Sequence, residues 1–127
     1  MSAEFRTLCH SLGLSAQALA RLERVQQRTV EHWFAAGEPP PAVLANVQRL
    51  QAAIEEMALQ AVDAVLNAAE QHGHAPEAVD LKAYRTAESW WAAHPECNDM
   101  PIQTHGIMLQ RQAQALRNIG VAVAIGY

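Results

Sequence analysis

Residues 14–37, LSAQALARLERVQQRTVEHWFAAG, constrain the fold most, because they have the pattern of two short helices joined by a tight turn. Ser15 is placed to cap the first helix, Val25 fills the turn, and Gln26 stands at the capping position of the second helix. The inward positions are apolar and recur at the three- to four-residue spacing of a buried face: Ala18, Leu19 and Leu22 in the first helix, and Val30, Trp33 and Phe34 in the second. The segment therefore predicts a packed helical hairpin.

The second helix of this hairpin would turn polar side chains outward, near its start. Gln27 matches the N6 and N7 edge of adenine, Arg28 matches O6 and N7 of guanine, and His32 would reach an acceptor edge one turn further on. The alternative is a set of solvated positions on an amphipathic hairpin, and the apolar inward face favours groove binding over it. The candidate DNA-contacting residues are Arg24, Gln26, Gln27, Arg28, Thr29, Glu31 and His32.

The hairpin resembles the helix-turn-helix regulators of the phage-repressor type. The residues that carry the resemblance are Leu14, Ser15, Leu19, Ala20, Thr29, Val30 and Trp33. The departure is Arg24, which stands in the turn where the family usually has glycine. A left-handed backbone at a residue with a side chain costs roughly 1–2 kcal/mol, so either the turn differs or the strain is tolerated.

Composition limits the classes of protein that this chain can belong to. Half of the 127 residues are apolar, which is enough for one compact domain or two small lobes with a shared core, and argues against disorder. Only 17% are charged and the net charge is −4, which argues against binding nucleic acid through bulk charge alone. Five of the nine basic residues lie within residues 1–50, so positive charge is concentrated in the part of the chain that contains the hairpin.

The sequence predicts a cytoplasmic protein without a membrane span. No stretch reaches the roughly 20 apolar residues that a span requires, and the start MSAEFRTL lacks the basic and apolar regions of a secretion signal. Cys9 and Cys97 are too few for a disulfide framework, and we interpret them as ordinary thiols in a reducing compartment.

Helices are predicted on both sides of the hairpin. Residues 3–12 would form a first helix that ends at Gly13, and a long helix over residues 42–71 would follow the prolines at 39–41. The apolar stripe of the long helix has a seven-residue repeat: Val43, Val47, Leu50, Ile54, Met57, Ala61, Ala64 and Ala68. Spacing alone leaves open whether this stripe packs within the chain or against a second subunit.

A second lobe would follow the linker at residues 72–78. We expect a short strand over residues 79–84, a helix capped by Thr86, a proline-bounded loop at residues 94–101, and a helix over residues 104–118 that Gly120 ends. The final VAVAIGY is uncharged and prone to β-structure, so it is expected to be buried or paired with another chain.

The predicted fold is therefore mainly α. It has an N-terminal helix-turn-helix region (residues 1–50), a long helix shared between lobes (residues 42–72), and a small α(+β) dimerisation lobe (residues 73–127). The order of elements also resembles the YdiL-like regulators, a group that includes anti-CRISPR-associated autorepressors, through Tyr84, Trp90, Pro95 and Asn98. That resemblance implies a homodimer held by its C-terminal lobe, which binds an inverted repeat in its own promoter.

Other chemistry finds little support in the sequence. His72, His74, His94 and Cys97 lack the paired spacing of a zinc site, so no metal or cofactor is expected. Because no phosphate loop, nucleophile elbow or HExxH motif occurs, an enzyme is not expected. One of the adjacent Trp90 and Trp91 would point away from the core, where stacking on single-stranded RNA is a lesser alternative to packing.

The leading hypothesis is a sequence-specific DNA-binding transcriptional regulator, acting as a dimeric autorepressor on double-stranded DNA. Two hypotheses from other functional classes stay open. In one, the hairpin is the scaffold of a protein-interaction or antitoxin-like module with an acidic C-terminal half. In the other, the six histidines serve a metal-dependent enzyme.

Overall fold

Helices make up most of the structure, a computed structural model that describes residues 3–127, and the fold is mainly α as predicted. The helices are α1 (Glu4–Ser11), α2 (Ala16–Glu23), α3 (Gln27–Ala36), α4 (Pro41–His72), α5 (Ala87–Ala93) and α6 (Ile102–Asn118). A single 3-10 turn, Pro95–Cys97, follows α5, and two short strands, β1 (Ala78–Lys82) and β2 (Ala122–Gly126), complete the described elements.

The predicted capping residues set several of these boundaries. The Ser15 hydroxyl accepts a hydrogen bond of 3.1 Å from the backbone N–H of Ala18, and the Thr86 hydroxyl accepts one of 3.1 Å from Ser89. Each bond satisfies an amide that the first turn of a helix leaves without a partner. Pro41 occupies the first turn of α4, where its missing N–H has no consequence.

The long helix packs its apolar stripe within the chain, mainly against α6. Its buried residues are Val43, Val47, Ile54, Ala58 and Val65. The seven-residue repeat is wrong in the second half of the helix, since Ala64 is exposed and Val65 is buried instead. A straight helix has 3.6 residues per turn, so a strict heptad stripe drifts by about 20° per repeat, and the buried face moves to the next residue.

One hydrophobic core joins the N-terminal helices to the C-terminal lobe. Its buried members are Phe5, Cys9, Leu12, Leu14, Leu19, Ala20, Val30, Trp33, Val43, Val47, Ile54, Trp90, Cys97 and Met108. The predicted division at residues 72–78 therefore separates two stretches of chain that share a core. Burial also raises the pKa of the Cys9 thiol to about 12, which makes it an unreactive core residue.

Helix α2 is fixed to the segment that follows α5. Arg21 forms an ion pair of 3.1 Å with Asp99, and its guanidinium lies 5.1 Å from the ring centroid of Trp91. The indole Nε1–H of Trp91 donates a 2.9 Å hydrogen bond to the backbone carbonyl of Met100. Trp91 is thus used within the chain, which leaves less of its ring for stacking on a nucleobase.

The two strands form a parallel pair whose register runs from Ala78 opposite Ala122 to Lys82 opposite Gly126. One face of this pair covers the end of α6 and a second, smaller core of Val65, Leu116 and Val121. The C-terminal segment was expected to be buried or paired with another chain. It pairs instead with β1 of its own chain and keeps much of its surface, including Ile125, exposed, because a two-stranded sheet has only one covered face.

Candidate nucleic-acid interface

Helix α3 has one buried face and one polar exposed face. Val30 and Trp33 lie in the core, and Phe34 is half-buried. All of the polar residues that the sequence singled out are exposed: Arg24, Gln26, Gln27, Arg28, Thr29, Glu31 and His32. The structure therefore gathers these seven side chains on the surface of the turn and of the first two turns of α3.

The turn between α2 and α3 tolerates a left-handed backbone at Arg24. Its backbone is left-handed, with φ 57° and ψ 46°, so Arg24 adopts a geometry that glycine reaches without strain. Val25 was expected to fill the turn, but its side chain is 37% exposed. The turn is closed by the backbone instead, because the N–H groups of Arg24 and Val25 both donate to the carbonyl of Ala20.

The start of α3 lacks the side-chain cap that position 26 would allow. Gln26 has the extended backbone of a capping residue, but its side chain accepts no hydrogen bond from the first turn. Glutamine is longer than the serine, threonine or aspartate that suit this position, so it stabilises the free amides poorly. Gln26 thus occupies the capping position without capping the helix.

The charged and amide groups on this surface differ in how far they are already paired. The Gln27 side-chain amide donates a 3.0 Å hydrogen bond to the Glu31 carboxylate, one turn along α3. Within residues 3–127, the guanidinium groups of Arg24 and Arg28 make no hydrogen bond or ion pair. Arg49, in contrast, is hydrogen-bonded to Asn46 on α4. Two arginines next to the exposed face are therefore available to an anionic partner.

Contacts with neighbouring helices fix the position of α3. The ring of Phe34 lies 5.8 Å from that of Phe5 and 5.7 Å from the imidazole of His10, both on α1. The side-chain amide of Asn46 donates to the Glu23 carboxylate at 3.1 Å, which joins the end of α2 to α4. Because α3 packs against α2 and its Phe34 ring contacts α1, it presents its outer residues at a fixed angle, as groove recognition requires.

Sequence reasoning missed the residues that hold the hairpin in place. Arg21 was counted with the basic share of the N-terminal region, but its ion pair with Asp99 spans 78 residues of sequence. Asp99 has a left-handed backbone, with φ 70°, and neither residue belongs to a recognisable local motif. The adjacent tryptophans were the one signal of a packed surface nearby.

Comparison with known proteins leaves the family open, since no family model and no curated protein matches the chain. Among the helices of residues 3–127, none is both long and apolar enough to cross a bilayer. The same residues contain no group of three or more His, Cys, Asp or Glu side chains placed to hold a metal ion. The resemblance to helix-turn-helix regulators stays a prediction from the residues quoted above.

Proposed function

We propose that the protein is a sequence-specific DNA-binding transcriptional regulator that acts by occupying an operator rather than by catalysis. The observation that carries this proposal is the exposed polar face of α3 opposite buried Val30 and Trp33. A short helix with this division, packed against a second helix through a tight turn, fits the major groove of B-DNA.

The exposed residues suggest distinct roles on a duplex. Arg28 is free to contact guanine O6 and N7, and Arg24, at the turn, is free to contact phosphate. Gln27 already donates to Glu31, so a two-bond contact with adenine requires this internal bond to open. If the internal bond stays closed, the Gln27 carbonyl still accepts from the adenine amino group.

We infer that the regulator binds as a homodimer, because one short helix in one groove gives little affinity. A two-fold dimer presents two such helices to the half-sites of an inverted repeat and adds their energies. The predicted stripe of α4 is used within the chain, so a second copy needs other apolar surface. Leu59 and Leu66 supply it on α4: they are 60% and 54% exposed and lie two turns apart.

A selection from random duplexes tests the proposal most directly. We expect an enriched inverted repeat, and affinity for it that falls steeply with salt concentration. Arg28→Ala should weaken binding by a factor of about 5 to 150, which corresponds to about 1–3 kcal/mol, and should relax preference at one position. Arg85→Ala removes an exposed arginine between β1 and α5, whose guanidinium lies 4.1 Å from the Tyr127 ring, and serves as the control for loss of one positive charge.

One outcome would contradict this function, and another would contradict the proposed dimer contact. An absence of any enriched motif, together with one stoichiometric protein partner in solution, would favour the hypothesis of a protein-interaction module.

For the dimer, the Leu59→Glu and Leu66→Glu double variant is expected to sediment as a monomer. Unchanged sedimentation of a dimeric parent protein would place the subunit contact elsewhere.

A further inference from the structure

A cavity of about 360 Å³ opens in the C-terminal half of the fold. Its lining comes from the middle of α4, from β1, from the segment around α5, and from α6. This volume lies at the small end of the range of ligand sites, which is about 300–1,000 Å³. The residues that line it are separate from the exposed face of α3.

Aromatic rings and apolar side chains form the walls of this cavity. The imidazole of His105 lies 4.8 Å from the ring of Trp90 and 5.4 Å from the ring of Tyr84, measured between centroids. Met57, Met108 and Leu109 add flexible apolar surface. Trp90 is almost fully buried and Tyr84 is half-buried, so the ring surface that is open to a planar ligand comes mainly from Tyr84.

His105 is the most deeply buried of the polar side chains that line this cavity. Its residue is only 8% exposed, yet within residues 3–127 its ring makes aromatic contacts and no hydrogen bond. Burial, and secondarily the nearby His94, lowers the pKa of the imidazole below its usual value. A neutral imidazole has one N–H donor and one acceptor nitrogen, and neither nitrogen of His105 is sealed from solvent, so both can bond to a polar group that enters the cavity.

Charges at the cavity balance each other. Lys82 and Glu96 both line it and carry opposite signs. The Glu96 carboxylate lies 3.3 Å from Nδ1 of His94, whose Nε2 lies 3.4 Å from the Tyr84 hydroxyl. Because no charge dominates, the site favours an uncharged ligand over an anion or a cation.

We propose that this cavity binds a small, uncharged, planar aromatic molecule that carries a hydroxyl or ring N–H group, with His105 as its hydrogen-bond partner. The aromatic walls would hold the ring of the ligand, and its polar group would hydrogen-bond to the imidazole of His105 in place of solvent. The proposal concerns a second site and does not depend on DNA binding.

Three small probes test the proposal on the ¹⁵N-labelled full chain by NMR at pH 7.5. Phenol has both the planar ring and the hydroxyl, cyclohexanol lacks the aromatic ring, and benzoate carries a charge. We expect saturable shifts of the Trp90 indole N–H and of the backbone amide of His105 with phenol. Cyclohexanol and benzoate should bind at least about fivefold more weakly.

The role of His105 is tested by His105→Phe, which keeps an aromatic wall and removes the hydrogen bond. We expect phenol affinity to fall by about three- to tenfold. His74→Phe, in the exposed linker between α4 and β1, should bind phenol like the parent protein. Nuclear Overhauser contacts between phenol and Trp90 in the parent protein provide a readout that needs no variant.

Each of several results would overturn the proposal. These are equal affinity for phenol and cyclohexanol, unchanged affinity in a folded His105→Phe variant, and the absence of contacts between phenol and Trp90 at saturating phenol. Shifts confined to exposed residues outside the cavity would likewise show that phenol binds elsewhere.

Discussion

The Thr104 hydroxyl donates a 2.8 Å hydrogen bond to the backbone carbonyl of Leu12, and both residues are buried. This bond joins the first turn of α6 to the residue that ends α1, although the two are 92 positions apart in the sequence. A buried carbonyl that loses its donor keeps the full cost of its removal from water. The bond thus links the two ends of the fold.

Replacing Thr104 by valine should therefore destabilise the protein while preserving the shape of the side chain. We expect Thr104→Val to lower the free energy of unfolding by about 1–3 kcal/mol, measured by urea denaturation. Thr7→Val makes the same change on the exposed face of α1 and should stay within about 0.5 kcal/mol of the parent. Equal effects of the two substitutions would show that the buried hydrogen bond contributes little.

Gly13 lies at the same junction and should not tolerate a side chain. Its φ is +74°, and an added Cβ would lie 2.9 Å from the backbone nitrogen of Thr104. Gly13→Ala is expected to cost about 2–4 kcal/mol, because backbone strain and a clash with backbone add together. Gly73 has a similar φ of +79° with open space around it, so Gly73→Ala should cost only about 1 kcal/mol. Thermal unfolding of the two variants separates the two contributions, and similar losses would contradict the steric account.

Arg24 offers a substitution that should stabilise the protein. Its left-handed backbone is strained for any residue with a Cβ. Arg24→Gly should raise the free energy of unfolding by about 0.5–1 kcal/mol, once the greater freedom of glycine in the unfolded chain is included. Arg24→Ala removes the charge but keeps the strain, so it should be no more stable than the parent. Urea denaturation that ranks alanine with glycine would point to charge rather than backbone.

The protein should lose stability in mild acid through His105. Its pKa is lowered in the folded state, so below the ordinary value of 6.5 the unfolded chain takes up a proton first. The stabilising contribution is fully present above 6.5 and is lost as the pH falls through the folded value. Urea denaturation at pH 7.5 and pH 5 should show a larger loss for the parent than for His105→Phe. His74→Phe should follow the parent, and an identical pH response of all three proteins would refute the assignment.

Local signals explain why most of the helical framework could be predicted. Ser15, Thr86 and Pro41 act on the turn that follows them, and the apolar spacing of Val30 and Trp33 depends only on the geometry of one helix. The exposure of Gln27 and Arg28 follows from the same periodicity. These features need no knowledge of the rest of the chain.

Long-range contacts explain what could not be predicted. The partners of Arg21 and Thr104 lie far away in the sequence, and nothing in their spacing identifies them. The cavity around His105 depends on how α4, α5, α6 and β1 meet, so six scattered histidines gave no sign of it. The exposure of Val25 could not be predicted either. This apolar residue need not fill the turn, because backbone hydrogen bonds close it.

The continuous core that runs from Phe5 to Met108 has a consequence for cooperativity. Trp90 and Cys97 belong to the same apolar cluster as Val30 and Trp33. A fragment that ends after α4 would lose part of this cluster and expose the rest to water, so the hairpin is expected to unfold. The two halves of the chain therefore fold as one cooperative unit. A chimaera that replaces either half needs side chains in the other half that fit the shared core.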